Sequence, residues 1–141
     1  MTMTGEEMLA QIARLYKGRT TGILDDFPEV LADDARFYFM GNESIVSAFP
    51  AGATDDPNDP NTVAQALFDE IAMNACEFGE PVAQGNRIAV TVKARLQVEG
   101  RPEFEHEMFD LWEFNEDGKV ISGRQFQDTA KLVEELQYVK K

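Results

Sequence analysis

Apolar residues recur at two different periods along the chain, and the change of period separates a helical first part from a part built of strands. From Met8 to Leu15 the apolar positions follow the helical repeat of three and four residues. Thr4 and Glu7 have the spacing of a capping box, in which each side chain bonds to the other residue's backbone amide. The pattern therefore predicts an N-terminal helix with Gly18 as its stop.

Shorter elements are predicted between this helix and the later strands. Asp26 as N-cap and Pro28 in the first turn indicate a short helix, with Val30 and Leu31 as its buried residues. Residues 35–40 form an aromatic run that is typical of a strand. A further helix is predicted for residues 63–73, because Val63, Leu67 and Ile71 recur four apart.

Residues 41–61 are the least regular part of the sequence. A helical turn is predicted at 43–49, and the prolines and short acidic residues at 55–60 indicate a loop. The acidic residues of this loop lack the spacing and the terminal Glu of a calcium-binding EF-hand, so we interpret them as a solvated loop.

From residue 88 onward the period is two. Apolar and mostly polar residues alternate, which is typical of strands that bury one face. Two turns interrupt the alternation, and the second contains the Asp-Gly pair that favours a hairpin. The three predicted strands cover residues 88–98, 103–114 and 119–127. Asp128 then caps a final helix, and the element order predicts an α+β fold with helices packed on one face of an antiparallel sheet.

The strand at 103–114 carries the residues of most chemical interest. Its outer face begins with three glutamates, so the other face, which alternates with it, is predicted to point inward. That inner face is apolar except for His106 and Asp110, whose Cα atoms are expected roughly 13 Å apart. The two side chains are therefore expected to reach one ligand without touching each other. Burial should raise the pKa of Asp110, which would let it donate a proton or a hydrogen bond near neutral pH.

Two alternatives stay open at this point. His106 and Asp110 are equally explained as buried polar groups that are satisfied by neighbouring donors and acceptors, with no chemical role. On the last strand, either the face with Gly123, Gln125 and Gln127 or the face with Arg124 and Phe126 can point inward, and composition does not decide between them.

Charge and length narrow the class of protein. The 141 residues predict one domain, and 13 Lys and Arg against 26 Asp and Glu give a formal net charge of −13. This charge argues against nucleic acid and against an anionic membrane surface, since both require a basic face. One Cys and one His exclude an intramolecular disulfide and a Cys-based or multi-His metal site. No apolar run approaches the ~20 residues of a membrane span, and no signal segment is apparent, so we expect a cytoplasmic protein.

Four segments together resemble the nuclear transport factor 2-like superfamily. Residues 82–90 resemble its strand entry "v-a-e-G-d-r-V-a-v", and residues 109–120 resemble its hairpin "D-x-x-x-F-x-x-x-G-K-I". Residues 31–35 are similar to the "F-A-D-D-A" segment before its first strand, and residues 41–45 to its "G-x-x-x-I" turn into a helix. The motifs occur in the family's order and cover most of the chain, so the resemblance implies this fold for residues 1–141.

The resemblance implies a cystatin-like α+β architecture, in which a strongly curved antiparallel sheet forms a cone around N-terminal helices, with a pocket at the open end. Ketosteroid isomerases, SnoaL-like polyketide cyclases and limonene epoxide hydrolases use that pocket, whereas other members use the fold for binding or dimerisation. It also implies that Gly123, Gln125 and Gln127 point inward on the last strand.

Individual positions follow from the same resemblance. Asp110 falls where ketosteroid isomerases keep a protonated Asp as an oxyanion donor, and Tyr16 lies next to the position of their partner Tyr. Phe39 stands at the position of their general base, a departure that argues against steroid isomerisation. Gln125 stands where the epoxide hydrolases keep a catalytic Asp, which argues against that activity.

Two functions are therefore considered. The first is a SnoaL-like enzyme of the isomerase or cyclase type, acting by acid/base chemistry on a hydrophobic cyclic carbonyl compound, with no metal and no organic cofactor implied. Its catalytic residues would be Asp110, His106 and Tyr16, with an acid from the 41–61 segment as an alternative proton carrier. Its binding residues would be Tyr38, Phe39, Met108, Trp112, Gln125 and Gln127. The alternative is a non-catalytic ligand-binding or dimerisation module of the same fold.

The outer face of the predicted sheet indicates a partner. Phe109, Leu111 and Phe126 fall on neighbouring strands and form an apolar patch that a monomer would rarely expose. We therefore expect a homodimer through this face.

Overall fold

One curved sheet of six strands organises the chain, and its inner face packs against helices. The structure is a computed structural model that describes residues 3–41, 44–45 and 60–140. The helices are α1 (Gly5–Thr21), α2 (Phe27–Val30), α3 (Pro60–Glu70) and α4 (Thr129–Lys140). The strands are β1 (Leu31–Phe39), β2 (Ile71–Phe78), β3 (Val82–Gln84), β4 (Arg87–Val98), β5 (Phe104–Phe114) and β6 (Val120–Gln127). The α+β class predicted from the sequence is confirmed.

The strand order is β1-β6-β5-β4-β2, and β3 pairs with β4 outside this path. The three long strands that the alternation predicts form two successive antiparallel pairs, β4 with β5 and β5 with β6. β1 pairs with β6 in parallel, which the prediction of an antiparallel sheet did not include. Side-chain alternation has the same period in both directions, so it cannot report the direction of a strand relative to a distant partner.

α1 begins as its sequence predicts and ends later. Thr4 and Glu7 form the complete capping box, with Glu7 N donating to Thr4 Oγ1 at 3.1 Å. The prediction that Gly18 stops the helix is wrong, since α1 continues to Thr21 and is closed by Gly22 at a φ of 77°. Gly18 serves packing instead: a Cβ there would lie 2.6 Å from Cε1 of Phe27, so only glycine lets α2 approach.

The helix predicted at 63–73 is correct in its first part only. α3 ends at Glu70 and the chain passes directly into β2, a strand that the sequence analysis missed. Ile71 and Met73, two residues apart and both buried, pair with Val98 and Leu96 of β4. The helical spacing of Val63, Leu67 and Ile71 masked this switch because Ile71 fits both periods.

Other boundaries differ less. The strand predicted at 35–40 is the second half of β1, and Leu31, predicted to be helical, begins that strand. Asp26 occupies the N-cap position of α2 without a side-chain cap, whereas Asp128 Oδ1 accepts a bond from Lys131 N at 3.1 Å and caps α4. The turn predicted at 43–49 and the loop at 55–60 lie almost wholly outside the described residues.

The core lies between α1, α4 and the inner face of the sheet. Alternate residues of β4, from Ile88 to Val98, are buried as the period of two predicts, and Met8, Ile12 and Leu15 of α1 pack with them. None of the helices in the described parts of the chain combines the length and apolar character that a membrane crossing requires.

Candidate active site

A cavity of about 270 Å³ opens between the inner face of the sheet, α1 and α3. Its walls are mainly aliphatic and aromatic, which suits an apolar ligand. All six residues that the sequence analysis proposed for substrate binding line it, namely Tyr38, Phe39, Met108, Trp112, Gln125 and Gln127. Tyr16 lines it as well, whereas Asp110 and His106 do not.

Asp110 lies directly behind the cavity wall. Its carboxyl is fully buried and accepts three hydrogen bonds. Oδ2 accepts from the hydroxyl of Tyr16 and from Nε1 of Trp112 at 3.2 Å, and Oδ1 accepts from Nε2 of Gln125 at 3.2 Å. All three donor residues line the cavity, so a ligand there contacts Asp110 only through them.

Burial decides the protonation of this group. Loss of hydration raises the pKa of Asp110 to about 6, and the hydrogen bonds from Tyr16, Gln125 and Trp112 oppose that rise without cancelling it. The same burial, together with the nearby carboxyl, raises the pKa of Tyr16 well above its usual range. Tyr16 is thus a neutral phenol at neutral pH, while Asp110 titrates close to neutrality.

The hydroxyl of Tyr16 connects Asp110 to the cavity. It donates to Asp110 and accepts from Nε2 of Gln125 at 3.1 Å. A phenol hydroxyl has one proton to donate, so when Asp110 is ionised that proton is used in the hydrogen bond to the carboxylate. When Asp110 is protonated, the carboxyl can donate to the phenol oxygen instead, and the phenol proton becomes free to bond an oxygen of a ligand.

The ring of Trp112 occupies space that is free because Gly123 has no side chain. A Cβ at Gly123, the residue opposite it on β6, would lie 2.6 Å from Cζ3 of that ring. The ring meets Tyr16 and Phe37 edge-on, with centroid separations of 6.5 and 5.9 Å. Gly123 therefore positions Trp112 so that its indole reaches Asp110.

His106 occupies a separate environment on the same strand. Its Nε2 lies 3.2 Å from Oε1 of Gln127, and its ring packs edge-on against Phe104. Burial lowers the pKa of His106, so the imidazole is neutral at neutral pH. Nε2 of Gln127 is buried and has no hydrogen-bond partner among the described residues.

Comparison with known proteins identifies the architecture. No family model and no curated protein sequence matches the chain. Among solved structures, an NTF2-like protein of unknown function from Burkholderia pseudomallei shares 17% identity at a TM-score of 0.71, over 95% of this chain and 98% of that one. The chain has the nuclear transport factor 2-like fold. The resemblance inferred from the four sequence motifs is thereby confirmed at the level of the fold.

Two further structures of this fold are enzymes or proposed enzymes. IdmH from Streptomyces antibioticus, a proposed polyketide cyclase, matches with 18% identity and a TM-score of 0.60 over 92% of this chain and 97% of its own. An LEH-like epoxide hydrolase from M. tuberculosis matches with 12% identity and a TM-score of 0.62 over 94% of this chain and 91% of its own.

The lining of the cavity matches the sequence expectation at Phe39 and Gln125 and differs from it at Asp110 and His106, which do not belong to it. No carboxylate of the described residues lines the cavity. The 41–61 segment, proposed as the source of an acid, lies mostly outside the described residues. In the described part of the chain, no group of three or more His, Cys, Asp or Glu side chains is placed to hold a metal ion.

The sequence analysis missed two residues of this site. Arg19 lines the cavity from α1, three residues after Tyr16, and its helical spacing was the available signal. Gly123 was noted only as an inward residue. Its contact with Trp112 depends on the β5–β6 register, which alternation alone does not supply.

Proposed function

We propose that the protein is a small-molecule enzyme of the isomerase or cyclase type that acts by acid/base chemistry on a hydrophobic cyclic carbonyl compound. One observation carries this proposal: the hydroxyl of Tyr16 lines an apolar cavity and is bonded to a buried carboxyl, Asp110, whose pKa is raised to about 6. A donor of this kind stabilises the negative charge that develops on a carbonyl oxygen during enolisation or ring closure. The α-proton is proposed to pass to water or to a carboxylate of the 41–61 segment, the alternative proton carrier of the sequence analysis.

The proposed roles follow from the bonding. With Asp110 protonated, Tyr16 donates to the substrate oxygen, and Asp110 and Gln125 donate to the phenol oxygen and hold it in place. Because Asp110 does not line the cavity, it is proposed as the group that controls the Tyr16 proton. The sequence analysis proposed His106 as a proton carrier. In the structure His106 contacts Gln127 and does not line the cavity, so this proposal gives it no contact with substrate.

Two structural neighbours support a cyclase, and the residues that line the cavity argue against a hydrolase. IdmH is a proposed polyketide cyclase, and SalBIII is an epoxide hydrolase/cyclase-like enzyme with a role in pyran ring formation. Phe39 and Gln125, which line this cavity, carry no carboxylate of the kind that the resemblance implies for steroid isomerisation or epoxide hydrolysis.

Deuterium exchange tests the proposal without knowledge of the natural substrate. Cyclic ketones of increasing size are incubated with the protein in D₂O, and loss of the α-proton signals is followed by NMR. We expect protein-dependent exchange for at least one ketone that fits the cavity, and its loss in Tyr16→Phe. Exchange that is unchanged in Tyr16→Phe would contradict the proposed role of the phenol.

A second candidate is a ligand-binding module without catalysis. It is favoured by the complete set of partners that Asp110 already has, and by Phe39 at the position of the base. Native mass spectrometry of the purified protein separates the two readings. A bound compound recovered chemically unchanged after incubation with the protein would favour the binding module.

We also propose that a second copy of the chain covers the outer face of the sheet. Phe109 and Phe126 are 46% and 40% exposed on adjacent strands, with ring centroids 6.3 Å apart, and Leu111 lies beside them. Phe109→Glu should shift the sedimentation coefficient from that of a dimer to that of a monomer. Val82→Glu, at an exposed apolar residue of β3, is the matched control and should leave it unchanged.

A further inference from the structure

The charged residues that line the cavity are positive, whereas the chain as a whole is negative. The protein has a formal net charge of −13, with 26 acidic residues against 13 Lys and Arg. Among the described residues that line the cavity, the charged ones are two arginines, Arg19 and Arg124. Close to a guanidinium in such a lining, the local potential favours an anionic group of a ligand.

Arg19 is the more enclosed of the two. It projects from the last turn of α1, so that it lies on the same side of the helix as Tyr16, three residues earlier. Its guanidinium carbon lies 4.5 Å from the ring centroid of Phe68, and Nη2 donates to the carbonyl oxygen of Ile71. In the described part of the chain no carboxylate lies at ion-pair distance from Arg19, and the carboxyl of Asp69 acts on it only from farther away.

The burial of this cation is energetically unfavourable. Burial lowers the pKa of Arg19 to about 10, yet the group remains a cation at neutral pH. A partly buried cation with no carboxylate in direct contact is less stable than one paired at short range, and a bound anion relieves that cost. The one backbone bond leaves further N–H groups of the guanidinium fork to bind such an anion.

We propose that the ligand of the cavity is an apolar oxo acid, whose carboxylate binds Arg19 while its carbonyl oxygen binds Tyr16. The planar guanidinium matches the geometry of a carboxylate, which favours this anion over a point-like one. The carbonyl part rests on the proposed function, whereas the carboxylate part rests on Arg19 alone. The cavity of about 270 Å³ limits the body of the ligand to a small ring system.

Arg124 has a lesser role in this proposal. It is exposed on β6, with its guanidinium carbon 4.6 Å from the ring centroid of Tyr38. A solvated cation of this kind attracts an anion without holding it strongly, because solvent screens the interaction.

Trp112 provides the readout. It is the single Trp of the chain and lines the cavity, so its fluorescence reports occupancy independently of any activity. The probes are 1-adamantanecarboxylate and 1-adamantanecarboxamide, which have the same rigid apolar body, differ in charge and do not absorb at the exciting wavelength. We expect the carboxylate to bind about tenfold more tightly than the amide, or better.

Variants assign the preference to one residue. Arg19→Met keeps the apolar stem and should reduce the preference to about twofold or less, while Arg19→Lys should retain part of it. Arg124→Met should change it by less than about threefold. Arg87→Met, at an exposed residue of β4 away from the cavity, is the control for the loss of one positive charge.

Each result has a defined meaning. Equal affinities for acid and amide in the unmodified protein, or no saturable response to the acid in the millimolar range, overturn the proposal. So does a preference that survives in a folded Arg19→Met, with folding checked by thermal melting. If the Arg19-dependent preference is present but no ketone undergoes exchange, the proposed function fails and the carboxylate site stands. If exchange occurs but acid and amide bind equally well, the carboxylate site fails and the proposed function stands.

Discussion

Two buried polar groups on the inner face of β5 have contrasting surroundings: His106 lies toward the N-terminal end of the strand and Asp110 toward its C-terminal end. At one end, Asp110 is fully buried, and at the other, His106 is 3% exposed. Desolvation is the largest influence on both, and it moves their pKa values in opposite directions, up for the acid and down for the base. Burial therefore favours the neutral form at each end, and burial alone does not distinguish a reactive group from a packed one.

What differs is the connection to the cavity. Asp110 is bonded to three donors that all line the cavity, and one of them, Tyr16, is a hydroxyl that can donate a hydrogen bond either to Asp110 or to a ligand. His106 reaches the cavity only through Gln127, whose amide cannot exchange its protons usefully with a substrate. The two groups therefore differ in whether hydrogen-bond donors connect them to the cavity, and the proposed function gives a role to Asp110 alone for that reason.

The largest effect that tests this comparison is on turnover. For a ketone that undergoes exchange, Tyr16→Phe should lower kcat about 10²–10³-fold, because it removes the donor to the developing oxyanion. His106→Gln should change kcat by less than about threefold, measured in the same NMR assay. A larger loss in His106→Gln than in Tyr16→Phe would reverse the assignment of the two ends.

The next effect is on the pH dependence of stability. The folded protein holds the Asp110 proton up to a pKa of about 6, against 3.8 for an ordinary Asp. Stability from the neutral carboxyl is therefore complete below the lower value and is lost as the pH rises through the upper one, by about 3 kcal/mol. Asp110→Asn should remove this loss, measured as the free energy of unfolding in urea at a series of pH values.

His106 should act with the opposite sign. Its folded pKa lies below 6.5, so its neutral form contributes stability above that pH, and the contribution is lost as the pH falls. His106→Gln should remove the acid-side loss and leave the Asp110 transition in place. A shift of the Asp110 transition in His106→Gln would show that the two groups are coupled, which would contradict their separate hydrogen-bond partners.

The smallest effect compares two glutamines on the same face of β6. Gln125→Met removes the bonds to Tyr16 and Asp110, and should destabilise the protein at neutral pH by about 1–3 kcal/mol, since it leaves a buried ionised carboxyl short of one donor. Gln127→Met removes the bond to His106 and also an unpartnered amide nitrogen, so its cost should stay within about 1 kcal/mol. Equal losses in urea unfolding would contradict the contrast.

The sequence was most informative where a local pattern has one physical reading. The alternation in residues 88–98 and in β5 predicted which residues are buried, because one side of a strand either meets the core or does not. The capping box of Thr4 and Glu7 and the cap at Asp128 were equally local, since each involves groups within four residues. These patterns, with four family motifs, were enough to predict the fold.

Patterns with two readings were resolved only by the folded chain. Ile71 satisfies both the helical and the strand period, and pairing with Val98 made it a strand residue. Gly18 resembles a helix stop, but Phe27 occupies the space beside it and the helix continues. In both cases a contact distant in sequence overrode the local preference.

By itself, the sequence determined that Asp110 and His106 would be buried on one face, since periodicity and composition fix burial. Tertiary structure decided which of them matters for the cavity, because Tyr16 comes from a helix 94 residues earlier and Gln125 from the next strand. It also decided that Arg19 would line an apolar cavity with no carboxylate of the described residues at ion-pair distance. Hydrogen bonds and desolvation depend on groups within a few ångströms of each other in space. The sequence pattern does not show which distant residues come that close, because this is set only when the sheet and α1 pack together.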